Sequence, residues 1–428
     1  MSYPYPQNKV DSTEALYLEP SFYGARTEGN IAPGTIPSGW IPEGTERPKL
    51  FDTVVAQNGS GTLTLKNRFV LPPMCQYSSK DGFPTPYHLA HLGQYVLHGF
   101  GTVIVEATGV VPEGRISPED VGIWNEEHVK AHSSLVAGLK SFGGDVKIGL
   151  QIAHAGRKAS TWSPFYKGKR DTPYTPESEG GWPAQVVAPS AIPYAEGHIT
   201  PHEITTDEVY KVVDSFAAAA DRAYRAGYDF VQLHSAHGYL LSSFISPVSN
   251  KRTDEFGGSF ENRTRLLRMI VQRIRGKFPD KGLWMRLNAS DGIEHTNEES
   301  WNIEESKRLA LLLEQDGLDV LELSAGGIVP YNRFDSGGGY MAKWAAAVKA
   351  VGLQRMLISS VGRLGRGTEE RPEVTGLLAE YYVKEKHIDL ISIGRDALGH
   401  PTLVEDAARA LTGVRPTMMP EYDYTQSK

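Results

Sequence analysis

The sequence predicts an α/β fold, a single (β/α)8 barrel with an N-terminal extension and a long loop after its third strand. Three observations carry this. Eight short runs rich in Val, Ile and Leu recur between residues 68 and 393, and their apolarity is continuous rather than alternating, as in parallel strands buried on both faces. Amphipathic stretches of helical period separate them. No Gly-x-Gly-x-x-Gly follows the first run, whereas an open doubly wound sheet usually carries a Gly-rich first turn and fewer strands.

The strands are expected at 68–74, 102–107, 146–152, 228–234, 282–288, 318–324, 355–359 and 388–393. Helices are expected at 125–142, 206–226, 259–277, 300–315, 340–351, 368–384 and 396–411, the second opened by the N-terminal signal Thr205-Thr206-Asp207-Glu208. Eight strand–helix repeats in about 350 residues point to one barrel spanning 50–415 rather than two domains. Residues 1–49, with seven Pro and five Gly and no sustained periodicity, read as a loosely ordered arm, and 416–428 as a tail. Two polar, turn-rich insertions, 161–189 and 246–260, follow strand ends, on the side where barrels keep their active sites.

Composition narrows the class. The 428 residues carry a formal charge of −7 and one cysteine, Cys75. A lone thiol excludes a disulfide framework, a Cys-rich zinc site and an iron–sulfur cluster. The acidic balance argues against a nucleic-acid binder. No apolar run reaches a membrane span of about 18 residues, and the polar, Pro-rich start does not resemble a signal peptide. A soluble cytoplasmic protein is expected.

Polar residues just past the strand ends are the functional candidates. In order they are Pro72-Pro73-Met74-Cys75-Gln76-Tyr77, Glu106-Ala107-Thr108, Gln151 with His154 to Lys158, His234-Ser235-Ala236-His237-Gly238-Tyr239, Arg286 with Asn288, Ser324 to Gly327, Ser359 to Arg363, and Gly394-Arg395. Glycines gather after strands six to eight, where barrels commonly hold phosphate on backbone N–H groups. His234 and His237, three residues apart at a strand end, can both donate N–H to one oxygen and polarise a carbonyl, and Tyr239 offers a phenol as proton donor. The pair could instead ligate a metal, with Asp291 or Glu294 as a further ligand, or be structural. Cys75 could be a small buried hydrophobe. Gln151 could be a core hydrogen-bonding group. Arg286, inside an apolar strand, needs a partner, either a ligand or a structural carboxylate.

Taken together these segments resemble the Old Yellow Enzyme family of flavin-dependent ene-reductases, and most closely its thermophilic-like branch, which carries Cys near the flavin. The likeness runs in order through Lys66-Asn67-Arg68, Pro73 to Tyr77, Glu106 to Thr108, Gln151 to Lys158, His234 to Leu240, Ser246 to Asp254, Glu261-Asn262-Arg263 and Ile393-Gly394-Arg395. It implies FMN held by Pro72, Pro73, Met74, Cys75, Ala107, Gln151, Arg286, Gly394 and Arg395. Gly326, Gly327, Gly362 and Arg363 would assist with the phosphate. It implies a substrate carbonyl or nitro group bound by His234, His237 and Tyr77, with Tyr239 delivering a proton. NADPH or NADH would reduce the flavin, and an α,β-unsaturated compound would then be reduced in the same site. The C-terminal segment departs from the branch: Tyr424 stands where its members carry an arginine that reaches a neighbouring subunit, so a monomer or a dimer without shared active-site residues is expected. A metal-dependent barrel hydrolase using His234 and His237 as ligands is the competing function, and a non-catalytic scaffold a further one.

Overall fold

A computed structural model describes residues 32–168, 170–371, 373–419 and 422. Eight strands close into a barrel: β3 (Phe69–Leu71), β4 (Thr102–Gly109), β5 (Lys147–Ala153), β8 (Phe230–Ser235), β9 (Gly282–Asn288), β10 (Val320–Ser324), β11 (Leu357–Ser360) and β12 (Leu390–Ser392). All neighbours are parallel, and β12 pairs with β3 to seal the ring. Each of the eight predicted runs holds one barrel strand. The helices α2 (Glu126–Ser141), α3 (Thr206–Arg225), α5 (Phe260–Lys277), α6 (Ile303–Gln315), α7 (Ala342–Lys349) and α8 (Leu377–Lys386) also fall where the periodicity places them. The stretch expected as a last helix is divided into α9 (Arg395–Gly399) and α10 (Leu403–Thr412).

Local chemistry explains the helix starts. Thr205 and Glu208 form a reciprocal capping box at the head of α3, which turns Val209, Val213, Phe216 and Ala220 into the core. Such a cap stabilises a helix by about 1 kcal/mol. The sequence reading misses α1 (Pro86–Leu97). There the box is formed by Thr85 and His88 with Pro86 in the first turn, so an imidazole stands in for the usual Glu or Gln.

The base of the barrel is closed by a hairpin of β1 (Val54–Asn58) and β2 (Gly61–Leu65). Its inward residues Val54, Ala56, Leu63 and Leu65 pack with Val70, Ile104, Phe230, Trp284, Val320 and Leu390 of the barrel strands. With the base filled, access is left at the C-terminal ends of the strands. The described part of the N-terminal arm is packed rather than loose. Ile36 is buried, the Asn67 amide donates to the Gly34 carbonyl at 2.9 Å, and Gly34 N–H donates to the Thr417 carbonyl at 2.8 Å. Apolar side chains spaced among the prolines anchor it, a signal that composition alone does not carry. Residues 1–31 and Tyr424 lie outside the described residues. Tyr422 stacks on His98 with ring centroids 5.6 Å apart. Among the described residues no helix is long and apolar enough to cross a membrane.

The insertion after β5 contains β6 (Val187–Ala188), which pairs with β7 (His202–Glu203). It carries Phe165 to the ring edge of Tyr77, with centroids 5.8 Å apart. The 246–260 segment is a structural clamp: Arg252 pairs with Asp254, and the Asn250 amide donates to the carbonyls of Phe244 and Phe256.

Candidate active site

Parallel register sets the interior of the site. Residues opposite one another on adjacent parallel strands project to the same face of the sheet. His234 stands opposite Arg286, Arg286 opposite Glu322, and Gln151 opposite Gln232. These side chains form a buried polar chain across the mouth of the barrel. The Gln151 amide donates to Gln232 Oε1 at 2.8 Å, the Gln232 amide to Glu322 Oε2 at 3.1 Å, and Arg286 Nε to the same oxygen at 2.5 Å. The partner that Arg286 requires is therefore Glu322, 1% exposed, whose second oxygen, Oε1, has no hydrogen-bond partner among the described residues.

Beside this chain lies a cleft at the ends of β3, β11 and β12. Of the predicted cofactor residues, Pro72, Pro73, Met74, Arg286, Gly362, Arg363, Gly394 and Arg395 line it. Gly362 has φ 118°, a conformation that favours glycine, and a side chain on Gly394 would meet Met74 Sδ at 3.2 Å. Two guanidinium groups over small residues at strand ends suit a phosphate. Arg286 brings a guanidinium to the cleft, and Gln151, outside the lining, is joined to it through Gln232 and Glu322. The donor set fits FMN. Val361, among the strand-end candidates, also lines it, and Tyr340, Met341, Ser392 and Asp396, which went unnoticed in the sequence, complete the lining.

Gly326 and Gly327, expected to assist with a phosphate, are placed elsewhere. A Cβ on Gly327 would meet the His237 carbonyl at 2.5 Å, and one on Gly238 would meet the Gly327 carbonyl at 2.1 Å. The two turns approach so closely that both need glycine, and Gly327 braces the histidine turn instead of lining the cleft. Cys75 and Ala107 also lie outside the lining, in an apolar cluster with Ile116, Trp182 and Tyr239.

His234, His237 and Tyr239 converge. Ring centroids are 5.1 Å apart for the two histidines, 4.9 Å for His234 and Tyr239, and 6.5 Å for His237 and Tyr239. Ala236 N–H donates to His234 Nδ1 at 3.3 Å, so the His234 proton resides on Nε2, which has no hydrogen-bond partner among the described residues. His237 adopts φ 62°. Its N–H donates to Asn288 Oδ1 at 3.1 Å and its carbonyl accepts from Lys158 Nζ at 2.9 Å, contacts that hold this uncommon conformation. Tyr77 and Arg363, with φ 51° and 59°, share it. Lys158 Nζ also lies 4.4 Å above the Tyr194 ring and 5.4 Å above that of Tyr239.

Burial governs the electrostatics. It holds both histidines neutral, His237 with a pKa of about 3 and His234 well below the usual value, helped by Arg286 and Lys158. It pushes the Tyr239 and Tyr77 phenols and the Cys75 thiol upward, so all three stay protonated at neutral pH. Asp291 and Glu294 do not join the histidines: the Asp291 carboxylate accepts from Ser246 Oγ at 2.7 Å and Trp301 N–H at 2.9 Å. Among the described residues no three His, Cys, Asp or Glu side chains are gathered as a metal would need. Gln232 and Glu322 escaped the sequence reading, and both could have been found by the reasoning that singled out Arg286, since each is a polar residue inside a buried run.

Known proteins agree with this geometry. The chain is 38% identical over 407 residues to an NADH:flavin oxidoreductase of Gibberella zeae, covering 92% of this chain and 94% of that protein. It is 37% identical to an NADPH dehydrogenase of Bacillus subtilis, covering 85% and 95%. Morphinone reductase superposes with a TM-score of 0.64 at 24% identity, covering 87% of this chain and 93% of that one. A 2-naphthoyl-CoA reductase superposes with a TM-score of 0.70 at 24% identity, covering 85% of this chain but 52% of that one. The family model for NADH:flavin oxidoreductases and NADH oxidases matches residues 59–413. The chain therefore belongs to the NADH:flavin oxidoreductase / NADH oxidase family and is an NAD(P)H-dependent oxidoreductase that uses FMN.

Proposed function

We propose that this enzyme reduces the activated C=C bond of α,β-unsaturated carbonyl and nitro compounds in a ping-pong cycle, with His234 and His237 binding the activating oxygen and Tyr239 supplying the proton. The observation that carries the reading is the convergence of two neutral imidazoles and a protonated phenol within 6.5 Å of one another. A neutral imidazole donates a hydrogen bond to a carbonyl without protonating it, and so stabilises charge only as it develops on the oxygen. Tyr77, edge-on to Phe165, would close the substrate side.

Pro72 to Met74, Gly362, Arg363, Gly394 and Arg395 would hold FMN along the cleft, with Arg286 and Gln151 at its ring and Cys75 and Ala107 nearby. When bound, FMN supplies the hydride relay between the nicotinamide and the substrate. The His pair orients the acceptor, and Tyr239 delivers its proton to the α-carbon. The barrel of 50–415 would hold this whole site, completed within one chain, in a monomer or a dimer that shares no active-site residues.

The test is a yellow holoprotein reducing cyclohexenone, with His234→Ala and His237→Ala each slowing that reduction by about 10²–10³, the scale for removing one oxyanion donor, while FMN content stays constant. Undiminished enone reduction in both variants would remove the histidines from substrate binding.

A further inference from the structure

We infer that the Ser324 hydroxyl fixes the tautomer of His237, donating its proton to Nε2 so that Nδ1 carries the N–H offered to the substrate oxygen. The inference rests on the reading of His237 as a substrate donor. Ser324 ends β10, is 3% exposed, and its Oγ lies 2.8 Å from His237 Nε2. A neutral imidazole has one N–H to place, and two arrangements fit this contact. In one, Nε2–H donates to Oγ. The serine proton then needs a second acceptor, and among the described residues Ser324 Oγ has no other hydrogen-bond partner. In the other, the hydroxyl donates to Nε2, so the serine proton and the Nε2 lone pair satisfy each other and Nδ1–H is left for the substrate. Buried polar groups that can pair do so, which selects the second. Burial keeps the ring neutral, so the choice between tautomers is a real one.

The consequence is an asymmetric pair. His234 receives the Ala236 N–H on Nδ1 and presents Nε2–H, whereas His237 receives the Ser324 O–H on Nε2 and presents Nδ1–H. With the rings inclined at 86°, unlike nitrogens allow two histidines three residues apart to address one oxygen. The opposite tautomer of His237 would aim a lone pair at that oxygen. Ser324 is thus a positioning residue that acts through His237.

Nitrogen-15 NMR of the histidine-labelled holoenzyme tests this, with the His237 signals assigned by their loss in His237→Ala. The expected wild-type spectrum has a protonated Nδ1 and an unprotonated Nε2. Ser324→Ala should give a mixture of tautomers and slow the enone half-reaction roughly tenfold to a hundredfold, the scale on which partners that orient an imidazole act, with FMN content unchanged. Ser324→Thr, which keeps the hydroxyl, should restore both. A wild-type His237 protonated on Nε2 would overturn the inference, even if Ser324→Ala fails to fold. So would a Ser324→Ala enzyme with unaltered tautomer or rate. Undiminished enone reduction in His237→Ala would instead sink the donor role itself, whatever the tautomer.

Discussion

Arg286 and Glu322 face one another from adjacent strands, with Nε 2.5 Å from Oε2 in the barrel interior. The charge that Arg286 presents to the cleft is therefore partly balanced from below. Glu322→Gln should keep FMN bound and raise the flavin midpoint potential by on the order of tens of mV, because a less compensated cation favours the more negatively charged reduced flavin. Glu322→Ala should also cost about 3–5 kcal/mol of stability by leaving a buried guanidinium unpaired. Redox titration and denaturant unfolding read the two effects. An unchanged potential in Glu322→Gln would show that Arg286 does not sense the flavin ring.

Lys158 gives the site a pH dependence. Burial, and secondarily Arg157, lower its pKa to about 8, while its Nζ donates to the carbonyls of His237 and Gly327. Below pH 8 it is a cation beside the histidine pair, and above pH 8 that charge is lost. The value of kcat/KM for an enone should fall above about pH 8, and Lys158→Met should lower the neutral-pH rate and flatten that limb. The sign for stability is opposite. Between pH 8 and the usual lysine range the unfolded chain binds more protons than the folded one, so this group favours folding as pH rises. A melting temperature that collapses with the rate across this range would assign the loss to unfolding instead.

The barrel was legible because buried parallel strands leave continuous apolar runs. The hairpin under it was not, because Val54 to Leu65 alternates on only two short strands around Asn58-Gly59-Ser60-Gly61, a turn signal that no strand expectation flanked. His234, His237, Tyr239 and Arg286 were legible because each interrupts or ends an apolar run. Gly326 and Gly327 lie outside the cleft's lining, and a glycine pair at a strand end signals close approach without saying to what. Here the approaching group is the His237 turn. Ser324 carried no signal beyond its place, and its role depends on a 2.8 Å contact that only the fold creates.

Cys75 is expected to tune the flavin rather than attack anything. Burial, with Asp120 and Glu106 adding to it, pushes its thiol well above the usual range, so the nucleophilic thiolate is scarce at neutral pH. Iodoacetamide should modify the holoenzyme far more slowly than a free thiol. Cys75→Ser should retain enone reduction with a shifted FMN potential. Complete inactivation of that variant with FMN still bound would point to covalent chemistry.

Tyr239 holds the remaining proton. An enolate-like species needs protonation at the α-carbon, and a phenol serves only if it remains an acid at working pH. Burial raises the Tyr239 pKa well above the ordinary value, with Cys75 and Tyr77 contributing, so its proton is retained across the neutral range. The ring stands 4.9 Å from His234, beside the group that would hold the substrate oxygen, and its backbone heads the short helix α4 (Leu240–Ile245). Tyr239→Phe keeps the ring and its packing and removes only the acid. Flavin reduction by the nicotinamide should stay near wild type, whereas reoxidation by cyclohexenone should slow by about 10²–10⁴, the contribution of a positioned general acid. Nitroalkenes should suffer less, because their nitronate can leave the site and take its proton from water. Stopped-flow traces of the two half-reactions separate these outcomes, and equal slowing of both, or of neither, would take Tyr239 out of the mechanism.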